Sequence, residues 1–178
     1  MADLKGSQTE KNLKIAFSGE SQARNRYASF ADIARREGYH YIAKIFEETA
    51  DNEMYHALEE YKLMHGKKST ATVLKEAIDA ENYECAVMYP TFTQQAEAEG
   101  HQQAAILFAQ IAKIEKQHRD RFQHLLNLVE NNMVYKRESA IRWKCSVCGY
   151  TYEGTEPPPR CPYCKRPREY YEPANLDV

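Results

Sequence analysis

No apolar run in this chain is long enough to cross a bilayer, and its first residues, Met1 to Gly6, do not read as a secretory signal. The expectation is a cytoplasmic protein with no membrane partner. An excess of one charge sign is also lacking: 24 Lys and Arg stand against 26 Asp and Glu, a formal net charge of −2. That balance argues against nucleic acid as a partner, which demands a basic surface. No glycine-rich dinucleotide fingerprint occurs, so nicotinamide or flavin chemistry would have to reside in another protein. Between residues 9 and 131 there is one proline, Pro90, and very little glycine, which leaves few places for turns.

What that region does contain is apolar residues at three- and four-residue spacing, as in Ile42, Ile45, Phe46 and Ala50, or Ile106, Leu107, Ile111 and Ile114. This is the period of amphipathic helices. Breaks near Gly38, across His65 to Thr70 and near Gly100 predict four helices, roughly 9–37, 40–64, 71–99 and 101–131. Short connections between them predict antiparallel neighbours in an all-α four-helix bundle. From Trp143 the pattern changes to aromatics, prolines and paired cysteines. The expected division is therefore 1–135 for the bundle and 136–178 for a linker and a small second domain, with Asn131 to Arg142 as the connecting stretch.

The helical region repeats itself. Leu13 to Glu20 aligns with Leu74 to Glu81 at an offset of 61, whereas Gly38, Glu53 and His56 align with Gly100, Glu115 and His118 at 62. One extra residue therefore lies between Glu81 and Gly100, and a helix commonly absorbs such an insertion as a π-bulge near a functional site. The repeated polar residues are Glu20 with Glu53 and His56, and Glu81 with Glu115 and His118. Residues three apart share a helix face. Two single glutamates and two Glu-x-x-His pairs converging in a bundle form the donor set of di-iron and di-manganese carboxylate proteins. A lone Glu-x-x-His is usually a solvated face; a matched duplicate is not.

Glu84 breaks the symmetry, because Ala23 occupies its place in the first half. Five carboxylates nearly balance two ferric ions but overbalance two ferrous ones, so Glu84 is expected to leave on reduction and a neutral histidine to replace it. Tyr27, two turns beyond Glu20, and Tyr89, five residues after Glu84, are candidates to touch the ligands, with Tyr27 or a carboxylate as proton relay. Cys85 points away from Glu84 and reads as a small buried hydrophobe. His40, His65, His101 and His124 lie outside the repeat and read as surface or loop residues.

Cys145, Cys148, Cys161 and Cys164 form two C-x-x-C knuckles within twenty residues, a closed tetrahedral thiolate site. Iron and zinc both use this ligand set. The surrounding Trp143, Tyr150, Tyr152 and Tyr163, together with an adjoining redox site, favour iron.

With both modules in this order, the sequence resembles the rubrerythrin family over nearly its whole length. The carrying residues are Gly19-Glu20, Glu53-Met54-Tyr55-His56, Glu81-x-x-Glu84 with Met88-Tyr89-Pro90, Glu115-Lys116-Gln117-His118 and the cysteine knuckles. The resemblance implies a ferritin-like bundle with a C-terminal rubredoxin-like domain, holding two irons in the bundle and one on the cysteines. It implies a non-haem peroxidase, active in oxidative-stress defence, that reduces hydrogen peroxide to water. Electrons would come from an NAD(P)H-dependent reductase or rubredoxin, and would pass between subunits of a homodimer. In that family the carboxylate matching Glu84 exchanges with the histidine matching His56. A ferroxidase or iron-handling protein, and a non-enzymatic redox sensor, are the alternatives. One departure is visible: Lys165 follows the second knuckle where such domains usually carry glycine with φ > 0.

Overall fold

The computed structural model describes residues 4–175. The chain groups into two compact units, one ending at Lys68 and one beginning at Ser69. The first unit is a helical hairpin of α1 (Gln8–Arg36) and α2 (His40–His65). Ser7 caps α1, its hydroxyl accepting from the Glu10 amide at 3.1 Å, and Gly38 at φ +86° closes the helix. The hairpin packs closely at Ala31, Ala34 and Ala43, whose small side chains let two backbones approach. Residues 66–69 follow α2.

The second unit repeats this hairpin. Helix α3 (Thr70–Tyr83) runs through a π-helical turn, Glu84–Met88, into α4 (Tyr89–Ala98), and α5 (Gln102–Glu130) returns. Ser69 caps α3 as Ser7 caps α1. Gly100, at φ +80°, stands where Gly38 does. The amides that close the two turns match as well, Tyr39 to the Ala34 carbonyl at 2.9 Å and His101 to that of Ala96 at 2.8 Å.

The expected π-bulge is therefore present, and its place is now defined. The Tyr89 amide reaches the Glu84 carbonyl, five residues back. Pro90, which follows, has no N–H to extend an α ladder in any case. Helix ends agree with expectation to within one residue.

Beyond α5, Asn132 turns the chain at φ +56°. The expected connecting stretch ends earlier than Arg142, because β1 (Ile141–Cys145) takes up its last two residues. β1 is the centre of a three-stranded antiparallel sheet, between β2 (Thr151–Gly154) and β3 (Tyr171–Pro173). Alternation along β1 turns Trp143 and Cys145 inward and Arg142 and Lys144 outward. Trp143 is fully buried, donates from Nε1 to the Gly154 carbonyl at 2.9 Å and lies under the Arg137 guanidinium. With Cys145, Cys161 and Tyr171 it forms the hydrophobic cluster at the centre of this small domain, and Pro157 is buried as well. So few buried groups call for a metal to hold the fold.

Candidate metal centres

In the first hairpin, α1 supplies Glu20 and α2 supplies Glu53 and His56, with one donor atom of each inside a 4.8 Å cluster. His56 Nδ1 lies 2.9 Å from Glu53 and 3.8 Å from Glu20. The second hairpin reproduces the set. His118 Nδ1 is 2.6 Å from Glu115 and 3.9 Å from Glu81, again within a 4.8 Å cluster. The helix period explains the convergence: Glu and His on adjacent turns of one helix project toward the single Glu of its neighbour.

The electrostatics show carboxylates crowded beyond what water alone would favour. A hydrogen bond with Glu53 holds the Glu20 carboxyl above its ordinary range, with burial and the Glu53 charge adding to the effect. Glu53 is correspondingly lowered, by Glu20 first and by His56. Glu81 is raised by burial, then by its hydrogen bond to Glu115. Carboxylates held this close to one another are an arrangement that a bound cation would stabilise.

Glu84, at the head of the π turn, lies outside the clustered donors but close enough for its charge to raise both Glu81 and Tyr89. Tyr89 is raised first by burial, then by Glu84, Glu115 and Glu81. Among the described residues the Tyr27 hydroxyl makes no hydrogen bond; its ring packs between Phe30 and Phe46, both 6.1 Å away.

The sequence reading overlooked an aromatic layer. Tyr27, Phe30 and Phe46 form one ring triad and Tyr89, Phe92 and Phe108 another, with Phe–Phe centroids 5.6 and 5.7 Å apart. The two sets are related by the same offset of 62. That offset at Tyr27 and Tyr89 was the available signal. It confines the extra residue to the stretch between Glu81 and Tyr89, where the π turn lies.

Two single-residue expectations are corrected. Cys85 is not a buried hydrophobe: it is partly exposed, with its Sγ 4.0 Å from Arg119. His124 is not a surface residue: it is half-buried, and its Nε2 is buried without a hydrogen-bond partner.

The four cysteines lie together, also within 4.8 Å. Sγ–Sγ distances are 3.7 Å for Cys145–Cys164 and 3.6 Å for Cys148–Cys161. A tetrahedron with metal–sulfur bonds of about 2.3 Å has edges of about 3.8 Å, so the cage fits such an ion. Burial alone would raise the Cys161 thiol, but the Cys164 and Tyr163 amides and the Tyr171 hydroxyl outweigh it and lower it to about 6. Cys145 is lowered likewise, its burial outweighed by the Cys148 and Val147 amides. The Tyr150 amide favours the Cys148 thiolate, yet burial and the three other sulfurs push it up to about 12. Four thiolates this close cannot all be ionised without a cation. The Tyr171 hydroxyl, buried and without an oxygen or nitrogen partner, is a ready donor to a metal-bound sulfur.

Comparison with known proteins settles which family uses this pair of sites. Residues 11–126 match the rubrerythrin family, and residues 143–172 match the rubredoxin-like domain of rubrerythrin. The chain is 42% identical to rubrerythrin of Porphyromonas gingivalis over 183 residues, covering 96% of this chain and 92% of that one. It belongs to the rubrerythrin family. It is 40% identical to rubrerythrin of Nitratidesulfovibrio vulgaris over 185 residues, covering 97% of each. Among solved structures, the mixed-valence state of nigerythrin is 32% identical and covers 97% of this chain and 90% of that one, with a TM-score of 0.36. As in other rubrerythrins, the fold class is ferritin-like with a small rubredoxin-like domain, and the cofactors are a di-iron site and an iron held by four cysteines. Among the described residues no helix is long and apolar enough to cross a membrane.

Proposed function

We propose that this rubrerythrin is a peroxidase that reduces hydrogen peroxide to water, protecting the cell against oxidative stress. The observation that carries the reading is the presence, in one chain, of a duplicated carboxylate–histidine donor set and a four-thiolate cage. A storage or ferroxidase site needs only the former. A one-electron centre in the same chain suits a site that must be re-reduced after each turnover.

In this reading Glu20, Glu53, Glu81, Glu115 and His118 hold the di-iron pair, and Cys145, Cys148, Cys161 and Cys164 hold the single iron. Bound there, the iron pair supplies Lewis acidity and the two electrons that O–O cleavage requires. Glu84 and His56 are the exchanging ligands. Glu84 would hold the oxidised pair, and His56, whose Nδ1 already faces Glu53 and Glu20, would hold the reduced one. Two protons must also arrive, since peroxide with two electrons and two protons becomes two waters. Tyr89 keeps its proton at Oη because burial and three carboxylates disfavour the phenolate, so it can donate a hydrogen bond toward the site. Tyr27 is the equivalent hydroxyl of the first hairpin. In the same reading a separate NAD(P)H-dependent reductase or rubredoxin supplies the electrons, which agrees with a sequence that carries no glycine-rich dinucleotide fingerprint.

The test is anaerobic stopped-flow mixing of the fully reduced, iron-loaded protein with hydrogen peroxide, following the visible band of the cysteine-bound iron. Rapid reoxidation at close to two electrons per peroxide supports the peroxidase. Slow reoxidation, with rapid oxidation of added ferrous iron by oxygen, moves the assignment to a ferroxidase.

A further inference from the structure

Ferritin-like bundles join their helices with one long crossover connection. Among the described residues this chain has none. Its helical elements are joined by residues 37–39, 66–69 and 99–101, three or four residues each. Helix α2 has 26 residues, which is roughly 39 Å at 1.5 Å per residue. Fully extended, the chain from His65 to Thr70 reaches at most about 18 Å. Residues 66–69 are therefore less than half as long as a crossover that returns along such a helix.

Each hairpin carries half of the donor set. Each also presents apolar side chains that its own packing does not cover. Ile42, Ile45 and Leu63 stand within about 90° of Glu53 around α2, and all three are exposed. Leu107, 62 residues after Ile45, is exposed in the same way on α5. The buried helical side chains are alanines and Leu126, so the larger apolar groups still need a partner surface.

We propose that two copies of this chain exchange hairpins. Each di-iron site then takes Glu20, Glu53 and His56 from one copy and Glu81, Glu115 and His118 from the other. The occupant of the apolar face is a second copy because that copy carries both the matching half-site and the matching apolar stripe. Exchange removes any need for a crossover, since residues 66–69 then only pass the chain from one bundle to the next. The inference rests on the di-iron site and not on peroxide chemistry.

Complementation between two disabled chains tests it. One carries Glu53→Ala with His56→Ala, the other Glu115→Ala with His118→Ala. They are co-expressed with different affinity tags, and the species bearing both tags is isolated and its iron measured, with the cysteine-bound iron subtracted through its visible band. Exchange predicts one intact and one doubly disabled site per pair. The pair should hold about half the wild-type bundle iron, while each variant alone holds almost none. A pair with no more bundle iron than the single variants would overturn the proposal. So would the absence of any two-tag species when wild-type halves are co-expressed, if the wild type still loads two bundle irons per chain. Should the alanine variants misfold, Glu53→Gln and Glu115→Gln give the same readout. As a second measurement, a flexible Gly/Ser insertion of about 20 residues after Gly66 should let one chain close its own bundle and abolish the gain on mixing. Persistence of that gain would count against the connector argument.

Discussion

His118 Nδ1 lies 2.6 Å from the carboxylate of Glu115, one turn away on α5. The same nitrogen lies 3.9 Å from Glu81, and the proposed site uses all three side chains as metal ligands. Replacing Glu115 by Gln should weaken bundle iron at least as much as loss of a supporting contact does, about 10–100-fold. The visible band of the cysteine-bound iron should be unchanged. Metal analysis against that band separates the two centres.

Glu84 heads the π turn outside the clustered donors, so Glu84→Ala should leave bundle iron in place. If Glu84 is the ligand that leaves on reduction, peroxide-driven reoxidation should slow by at least about tenfold, equivalent to roughly 1.4 kcal/mol in the barrier. Stopped-flow rates at matched iron loading check this. An unchanged rate would remove the exchange from the mechanism.

Tyr171 turns a buried hydroxyl toward Cys161. Donation to a sulfur favours the reduced, more negative centre. Tyr171→Phe should therefore lower the reduction potential of the cysteine-bound iron by about 40 mV, the equivalent of one net hydrogen bond of about 1 kcal/mol. Spectroelectrochemistry on the visible band measures it.

Lys165 adopts φ +62°, the conformation expected at the position where related domains carry glycine. Its amide still reaches the Cys161 carbonyl at 3.0 Å, as that of Gly149 reaches Cys145 at 2.8 Å. Lys165→Gly should stabilise the iron-bound small domain by about 0.5–1 kcal/mol, the left-handed penalty less glycine's entropy. Gly149→Ala should destabilise it by about 1–2 kcal/mol. Denaturant midpoints of the visible band report both.

In the metal-free protein Glu20 and Glu81 bind protons more tightly folded than unfolded, since both are raised. Their contribution to stability must fall as pH rises above the ordinary carboxylate value of about 4.3. Glu53 is lowered, so its contribution is lost in the opposite direction, at lower pH. Thermal melts from about pH 4.5 to 7 should show the metal-free form losing stability with rising pH, and the iron-loaded form holding or gaining it.

The extra residue of the second half was legible from the step in offset between Glu81 and Gly100, because residue counting requires no structure. The π turn's place at Glu84–Met88 was less so, since the sequence reading left Tyr27 and Tyr89 out of the repeat. The ring triads went unseen for the same reason: Phe46 meets Tyr27 only across a hairpin, and helical periodicity does not report such a contact. Cys85 and His124 were misjudged because burial depends on what a neighbouring helix covers.

The amino-acid order by itself determined the donor types and their spacing: single glutamates, Glu-x-x-His pairs and two cysteine knuckles. The helix period and the tight C-x-x-C turn make these local facts. Tertiary structure alone decided how the donors meet, with His56 Nδ1 3.8 Å from Glu20 and the four Sγ atoms within 4.8 Å of one another. It also decided that the Cys161 thiol would be lowered by amides and the Tyr171 hydroxyl. Those outcomes depend on distances between residues far apart in the chain, which only packing sets.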